Sequence, residues 1–139
     1  MKISFKYTII LIIAFFSISS CTSFTLTDKN PETMVRKNIE GLMAAKINGE
    51  WDKVYDYFDS NFKSKIKKKS FANPNKAKFK NYNIEYIKVD PSGQWVDALV
   101  KADMNIKSYD LKGVPEQQHW IIEKGKWVLV VSPGGNFIE

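Results

Sequence analysis

The sequence predicts an α+β domain, helices first and an antiparallel meander after, carried behind an export signal. Three observations predict it. Apolar residues between Val35 and Phe58 recur at the three-and-four spacing of a helix face, and from Phe79 onward they recur at every second position. The first helical run is preceded by Asn30-Pro31-Glu32, a start signal, and the strand runs are separated by turn residues. The chain opens with Lys2 and Lys6 on either side of Ile3-Ser4-Phe5, then the apolar run Tyr7 to Phe16, then Ser17, Ser19 and Ser20. That order of charge, apolar core and small residues is the pattern of a secretory signal. A spanning helix needs roughly 20 apolar residues, so a retained transmembrane anchor is the weaker reading of this run.

The signal ends at Ile18-Ser19-Ser20-Cys21, and Cys21 is the only cysteine. A lone cysteine forms no internal disulfide, and an unpaired one in an exported chain asks for another role. An aliphatic residue, two small ones and a cysteine resembles the bacterial lipobox. The resemblance implies cleavage before Cys21, a diacylglycerol thioether on its sulfur and acylation of the new amine. Residues 1–20 are then the signal peptide, 21–29 a lipidated N-terminus and tether, and 30–139 a single domain. Two or three acyl chains hold a protein durably on a membrane, each buried CH₂ contributing about 0.8 kcal/mol. Thr22 stands where lipoproteins retained at the inner membrane tend to carry Asp. The expected location is therefore the cell envelope, at the outer membrane facing the periplasm if there are two membranes.

Composition allows a packed core, with 44% hydrophobic and 14% aromatic residues. The formal charge of +6 is concentrated. Lys63, Lys65, Lys67, Lys68, Lys69, Lys76, Lys78 and Lys80 occur with no acid between Asp59 and Glu85. Lys65, Lys67, Lys68 and Lys69 are the densest part, a candidate surface for anionic headgroups or polyanionic glycan. Arg36 is the only arginine, and arginine is the better phosphate fork. Nucleic acid is accordingly not an expected partner of an exported chain.

Taken in order, Asn30 caps a helix with Pro31 at its first position, and Val35, Ile39, Leu42 and Met43 form its apolar stripe. Gly41 interrupts it at a propensity cost of about 1 kcal/mol, which points to close packing against the sheet. Gly49 ends it. Trp51, Val54, Tyr55 and Phe58 line a second helix; Asp59-Ser60 is a break and cap; Phe62 and Ile66 mark a third helix that runs into the lysines and ends near Ser70. Asn73-Pro74-Asn75 is a loop. Tyr82, Ile84 and Tyr86 share a strand face, but Ile87 and Val89 have the other parity, which requires either a bulge near Tyr86 or cover on both faces. Asp90-Pro91-Ser92-Gly93 is a turn. Val96, Ala98, Val100, Ala102, Met104 and Ile106 then alternate with polar residues in a long strand. Ser108 to Pro115 reads as a connecting loop, Gln117 to Glu123 as a third strand, and Trp127 to Val131 as a fourth after a tight hairpin.

A helix ending in Asn48-Gly49-Glu50-Trp51, a second aromatic helix through Tyr55-Asp56-Tyr57-Phe58, long paired strands and a closing Lys124-Gly125-Lys126-Trp127-Val128-Leu129-Val130 are similar to nuclear-transport-factor-2-like domains, and most of all to the small bacterial lipoproteins of that superfamily. The resemblance implies a strongly curved sheet hugged by the N-terminal helices, a cone whose open end forms an apolar pocket. It also implies dimerisation through the outer sheet face, where Leu99 and Trp95 stand. Members include isomerases, dehydratases, cyclases and non-enzymes, so the fold does not fix the chemistry.

His119 is the only histidine and the natural general acid or base near neutral pH. Trp120 and His119 lie on opposite strand faces, and parity alone does not tell which is inner. An inward His119 would make Asp56 and Tyr57 its candidate catalytic partners; an outward one would be a surface histidine. Trp51, Tyr55, Tyr82, Tyr86 and Trp120 are candidates to line a site for a small apolar ligand, or to be core. One histidine and one lipidated cysteine give no expectation of a metal site, and no cofactor motif appears. The expected function is that of a membrane-anchored binding domain, taking a small apolar molecule or an envelope protein. The alternatives are an isomerase or dehydratase using His119 with a carboxylate, and an envelope-organising protein holding anionic lipid or glycan on its lysines.

Overall fold

The computed structural model describes residues 30–71 and 77–131. The signal peptide, Cys21, the tether, the Asn73-Pro74-Asn75 loop and the segment after Val131 lie outside them. Three helices pack on one face of a four-stranded antiparallel sheet with the order β1-β2-β3-β4. The sheet is open, with β1 and β4 at its edges. Among the described residues no helix is long and apolar enough to cross a membrane.

Helix α1 spans Pro31–Ile47. The Asn30 side chain accepts from the Glu32 N–H at 2.9 Å, satisfying one of the free donors of the first turn. At the other end Gly49 has a φ of +70°; its N–H reaches the Lys46 carbonyl and that of Glu50 the Ala45 carbonyl, the paired bonds of a glycine-closed helix end. Val35, Ile39, Leu42 and Met43 are fully buried. The helix lies over β1 and β2, where Ala98 and Ala102 are also fully buried and leave room for it. Gly41 does mark a close approach, but to the Tyr57 hydroxyl, which a Cβ there would overlap, rather than to the sheet.

Helix α2 is a short Trp51–Asp56, and Phe58 has already left it to form a parallel bridge with Leu129. Helix α3 is Ser60–Lys65, so the third helix stops before the lysines do; a single 3-10 turn follows at Lys68–Ser70. Asp59 is 3% exposed and ties two elements together. One carboxylate oxygen caps α3 through the Phe62 N–H and the other takes the Val131 N–H at the end of β4, both at 3.0 Å.

Strand β1 is Lys78–Val89, β2 Trp95–Ile106, β3 Tyr109–Glu123 and β4 Lys126–Val130. The β1–β2 register shifts between Ile84 and Tyr86, so the bulge is the answer to the parity change there: Ile84 and Ile87 both turn toward the helices, while Tyr86 pairs with Leu99 on the outer face. The segment expected to be a loop, Ser108 to Pro115, is instead mostly strand. A two-residue turn with Lys107 at a φ of +58° reverses the chain directly into β3. Its loop-like residues have local explanations. Lys112 and Gly113 stand together opposite Asp103, and Gly113, at a φ of +59°, supplies the left-handed residue of that bulge. Its N–H donates to the Asp103 carboxylate at 2.9 Å. Pro115 pairs with Lys101 of β2 but lies before the residues, His119 to Glu123, that pair with β4. Among the described residues no strand pairs with its other side, where a missing N–H costs no ladder bond.

Candidate functional site

Register assigns the two faces of β3 that parity alone left open. Trp120 pairs with Val96, Gln118 with Ala98 and Glu116 with Val100, all on the face toward the helices. His119 pairs with Asp97 and Ile121 with Trp95 on the outer face.

The inner face holds a connected row of polar side chains. Lys46, in the last turn of α1, places its Nζ 2.7 Å from each carboxylate oxygen of Glu116. Gln118 donates to Glu116 Oε1 at 2.8 Å, and Trp120 Nε1 donates to Gln118 Oε1 at 3.0 Å. The strand period of two puts these three side chains side by side, and the cation suits the negative end of the helix dipole. The Lys46 ammonium also lies 5.2 Å from the centre of the Phe79 ring. Burial alone would raise the Glu116 pKa; the Lys46 charge and hydrogen bonds, with that of Gln118, outweigh it and hold the carboxyl below its ordinary range. Among the described residues no buried side-chain nitrogen or oxygen lacks a hydrogen-bond partner. A carboxylate held on both oxygens by an ammonium is a poor base, and the ammonium is equally engaged. The row joins α1 to the sheet. Sequence reading missed Lys46 and Glu116; the shared parity of Glu116, Gln118 and Trp120 was the signal available for the strand half of it.

The outer face carries the histidine. His119 Nδ1 is 2.6 Å from Asp97 Oδ1, and its ring lies 5.5 Å from that of Trp95. An ionised carboxylate can only accept, so the contact places the proton on Nδ1 and leaves Nε2 to the outside. The His119 side chain is 45% exposed on an open sheet face. Its suggested partners are elsewhere. Tyr57 packs edge-on against Trp120 on the inner face, and Asp56 accepts a 2.7 Å bond from Lys68. Across the strands His119 and Asp97 meet Val130 and Lys88, and none of these positions offers a hydroxyl or thiol nucleophile.

The aromatic candidates separate into three groups. Trp51 and Tyr55 belong to a cluster around Phe71, with ring centres 5.6 to 6.3 Å apart, and the Tyr55 hydroxyl donates to the Ile66 carbonyl at 2.7 Å. Trp120 is fully buried, and Tyr82 packs against the same core. Tyr86 is exposed on the outer face. Four of the five thus pack into or against the one core, and Tyr86 stands apart from them on the outer face.

The lysine segment is divided as well. Lys68 pairs with Asp56, and that hydrogen bond is the first reason its pKa is raised. Lys63 donates to the Asp56 carbonyl at 2.8 Å, and both ammonium groups approach the Tyr55 ring. Lys65, Lys67 and Lys69 are exposed and have no side-chain partner among the described residues. No protein-family model matches this chain, and no curated protein matches it.

Proposed function

We propose that the chain is a lipid-anchored protein of a bacterial envelope, held by Cys21, whose domain binds through its surface and performs no reaction. The observation that carries the binding half is the closed Lys46–Glu116 pair. The inner face is where an enclosed catalytic group would sit, and its ionisable side chains are spent on one another. His119 has an orienting carboxylate but stands on an open face, where none of the described residues shuts out water. The anchor half rests on Lys2, Lys6, the apolar run and the Ile18-Ser19-Ser20-Cys21 ending.

The finer fold reading, a nuclear-transport-factor-2-like domain, belongs to the same proposal. It is supported by the order of elements, three helices before an antiparallel meander whose bulges bend its strands. The test of the function is mass spectrometry of the protein recovered from bacterial membranes. A mature chain starting at Cys21 with diacylglycerol and an acyl amide is expected, and Cys21→Ser should release it from the membrane fraction. An unmodified N-terminus would overturn the anchor. Turnover of any small carbonyl substrate that disappears in His119→Gln would overturn the non-catalytic reading.

A further inference from the structure

We propose that the segment from Lys65 to Lys69 is a membrane-docking surface that lays the tethered domain on anionic phospholipid. The inference rests on the lipid anchor proposed above for the lipid as source, and on the structure for the residues.

Most neighbouring acids are already committed; Asp52, exposed, acts at longer range on Lys68. Asp56 is taken by Lys68, Asp59 is buried under two backbone N–H groups, and Glu123 accepts from the Ser60 N–H and hydroxyl. Lys65, Lys67 and Lys69 are left exposed, with no carboxylate partner among the described residues. Their backbone is held from beneath: the Tyr55 hydroxyl binds the Ile66 carbonyl, and the Ser70 and Phe71 N–H groups close on the Lys67 carbonyl. Phe71 in turn packs among Trp51, Tyr55, Phe58 and Phe62. Three free ammonium groups are thus presented from a fixed platform. Ile66, 38% exposed, adds apolar surface to the same segment. Apolar surface beside cations suits the headgroup boundary of a bilayer better than a soluble polyanion.

The anchor allows this orientation. The chain from Cys21 to Asn30 spans at most about 30 Å when extended. That exceeds the radius of gyration of roughly 13 Å expected for a domain of this size. Each lysine at an anionic surface contributes about fivefold to partitioning at moderate salt, so three contribute on the order of a hundredfold.

The experiment is lysine footprinting by acetylation and mass spectrometry. The full acylated protein is placed in phosphatidylcholine vesicles with or without phosphatidylglycerol. Lys65, Lys67 and Lys69 should be modified several-fold more slowly with phosphatidylglycerol, and the protection should vanish in high salt. Lys88 and Lys101 on the sheet should be unaffected. No protection, or equal protection of Lys88 and Lys101, overturns the proposal. Equal protection by a soluble anionic glycan without phosphatidylglycerol also overturns it, in favour of glycan. The same spectra report the mass at Cys21, so a missing anchor is seen separately. In that case sedimentation of the unacylated chain with phosphatidylglycerol vesicles decides: binding about a hundredfold weaker for K65Q/K67Q/K69Q keeps the surface, and no difference removes it.

Discussion

Alternate residues of one strand, β3, meet two different environments. Glu116, Gln118 and Trp120 face the helices and are joined to one another and to Lys46. His119 and Ile121 face outward, and His119 meets a carboxylate in the open. Each face has a carboxylate held at hydrogen-bond distance, by Lys46 at 2.7 Å within and by His119 at 2.6 Å without. The side chains of the inner pair are 9% and 27% exposed, those of the outer pair 45% and 32%. Geometry this similar should have very different consequences. Breaking a buried pair leaves a charge without water or partner, whereas an exposed pair exchanges its partner for solvent.

The largest effect should come from breaking the inner pair on one side. Lys46→Met is expected to lose about 3 kcal/mol of stability in urea unfolding, because the part-buried Glu116 charge is left with no cation and only the Gln118 hydrogen bond. Lys46→Met with Glu116→Leu should recover most of that loss. A double variant as unstable as the sum of the single ones would mean that the two side chains act independently.

Next in size is the contact beside that row. Gly41→Ala removes a helix-weakening glycine yet should cost about 1 to 2 kcal/mol, because the new methyl meets the Tyr57 hydroxyl and Tyr57 is backed by Trp120. In a Tyr57→Phe background the nearest ring carbon is 3.3 Å away, and the same change should be close to neutral or stabilising. A neutral Gly41→Ala in the native background would show that the inner face can yield there.

The pH dependence sharpens the comparison further. The folded Glu116 carboxyl lies below its ordinary value, so its contribution is complete above that value, near 4.5, and is lost as pH falls through the lower folded one. Glu116→Gln should flatten the decline in stability across that acid window, read from thermal midpoints at successive pH values. An unchanged slope would assign the decline to other carboxylates. Asp103, held low first by the Gly113 N–H, and Asp110, held low first by Lys80, shift in the same direction. Asp110 is exposed and Asp103 partly so.

The smallest effect belongs to the outer pair. Asp97→Asn and His119→Gln should each change stability by about 0.5 kcal/mol or less. A loss as large as that of Lys46→Met would place the outer face under a second, unseen layer and end the contrast.

Much of the helical layer was legible in local chemistry. Asn30 and Pro31 start α1, and Gly49 ends it with the bond pattern its left-handed backbone allows. The alternation from Val96 to Ile106, broken only by Leu99, named the inner side of β2: Val96 to Met104 are buried there and Ile106 partly so. The long β3 was not legible before Gln117. Its Gly113 and Pro115 look like loop residues until a bulge and an edge that no described strand pairs account for them. The five aromatic candidates were chosen by type, and type does not carry position: register sends Tyr86 outward, while Trp51, Tyr55, Tyr82 and Trp120 pack into or against the core.

Local sequence thus determined where α1 begins and ends and the period of β2, since capping, glycine backbone freedom and side-chain alternation act within a few residues. Only the tertiary structure decided which face of β3 is inner, and so whether Glu116 or His119 would be enclosed. That choice depends on pairing with β2 and on Lys46, seventy residues away in the chain. It is made by the free energy of burying one face against α1, which no local pattern contains.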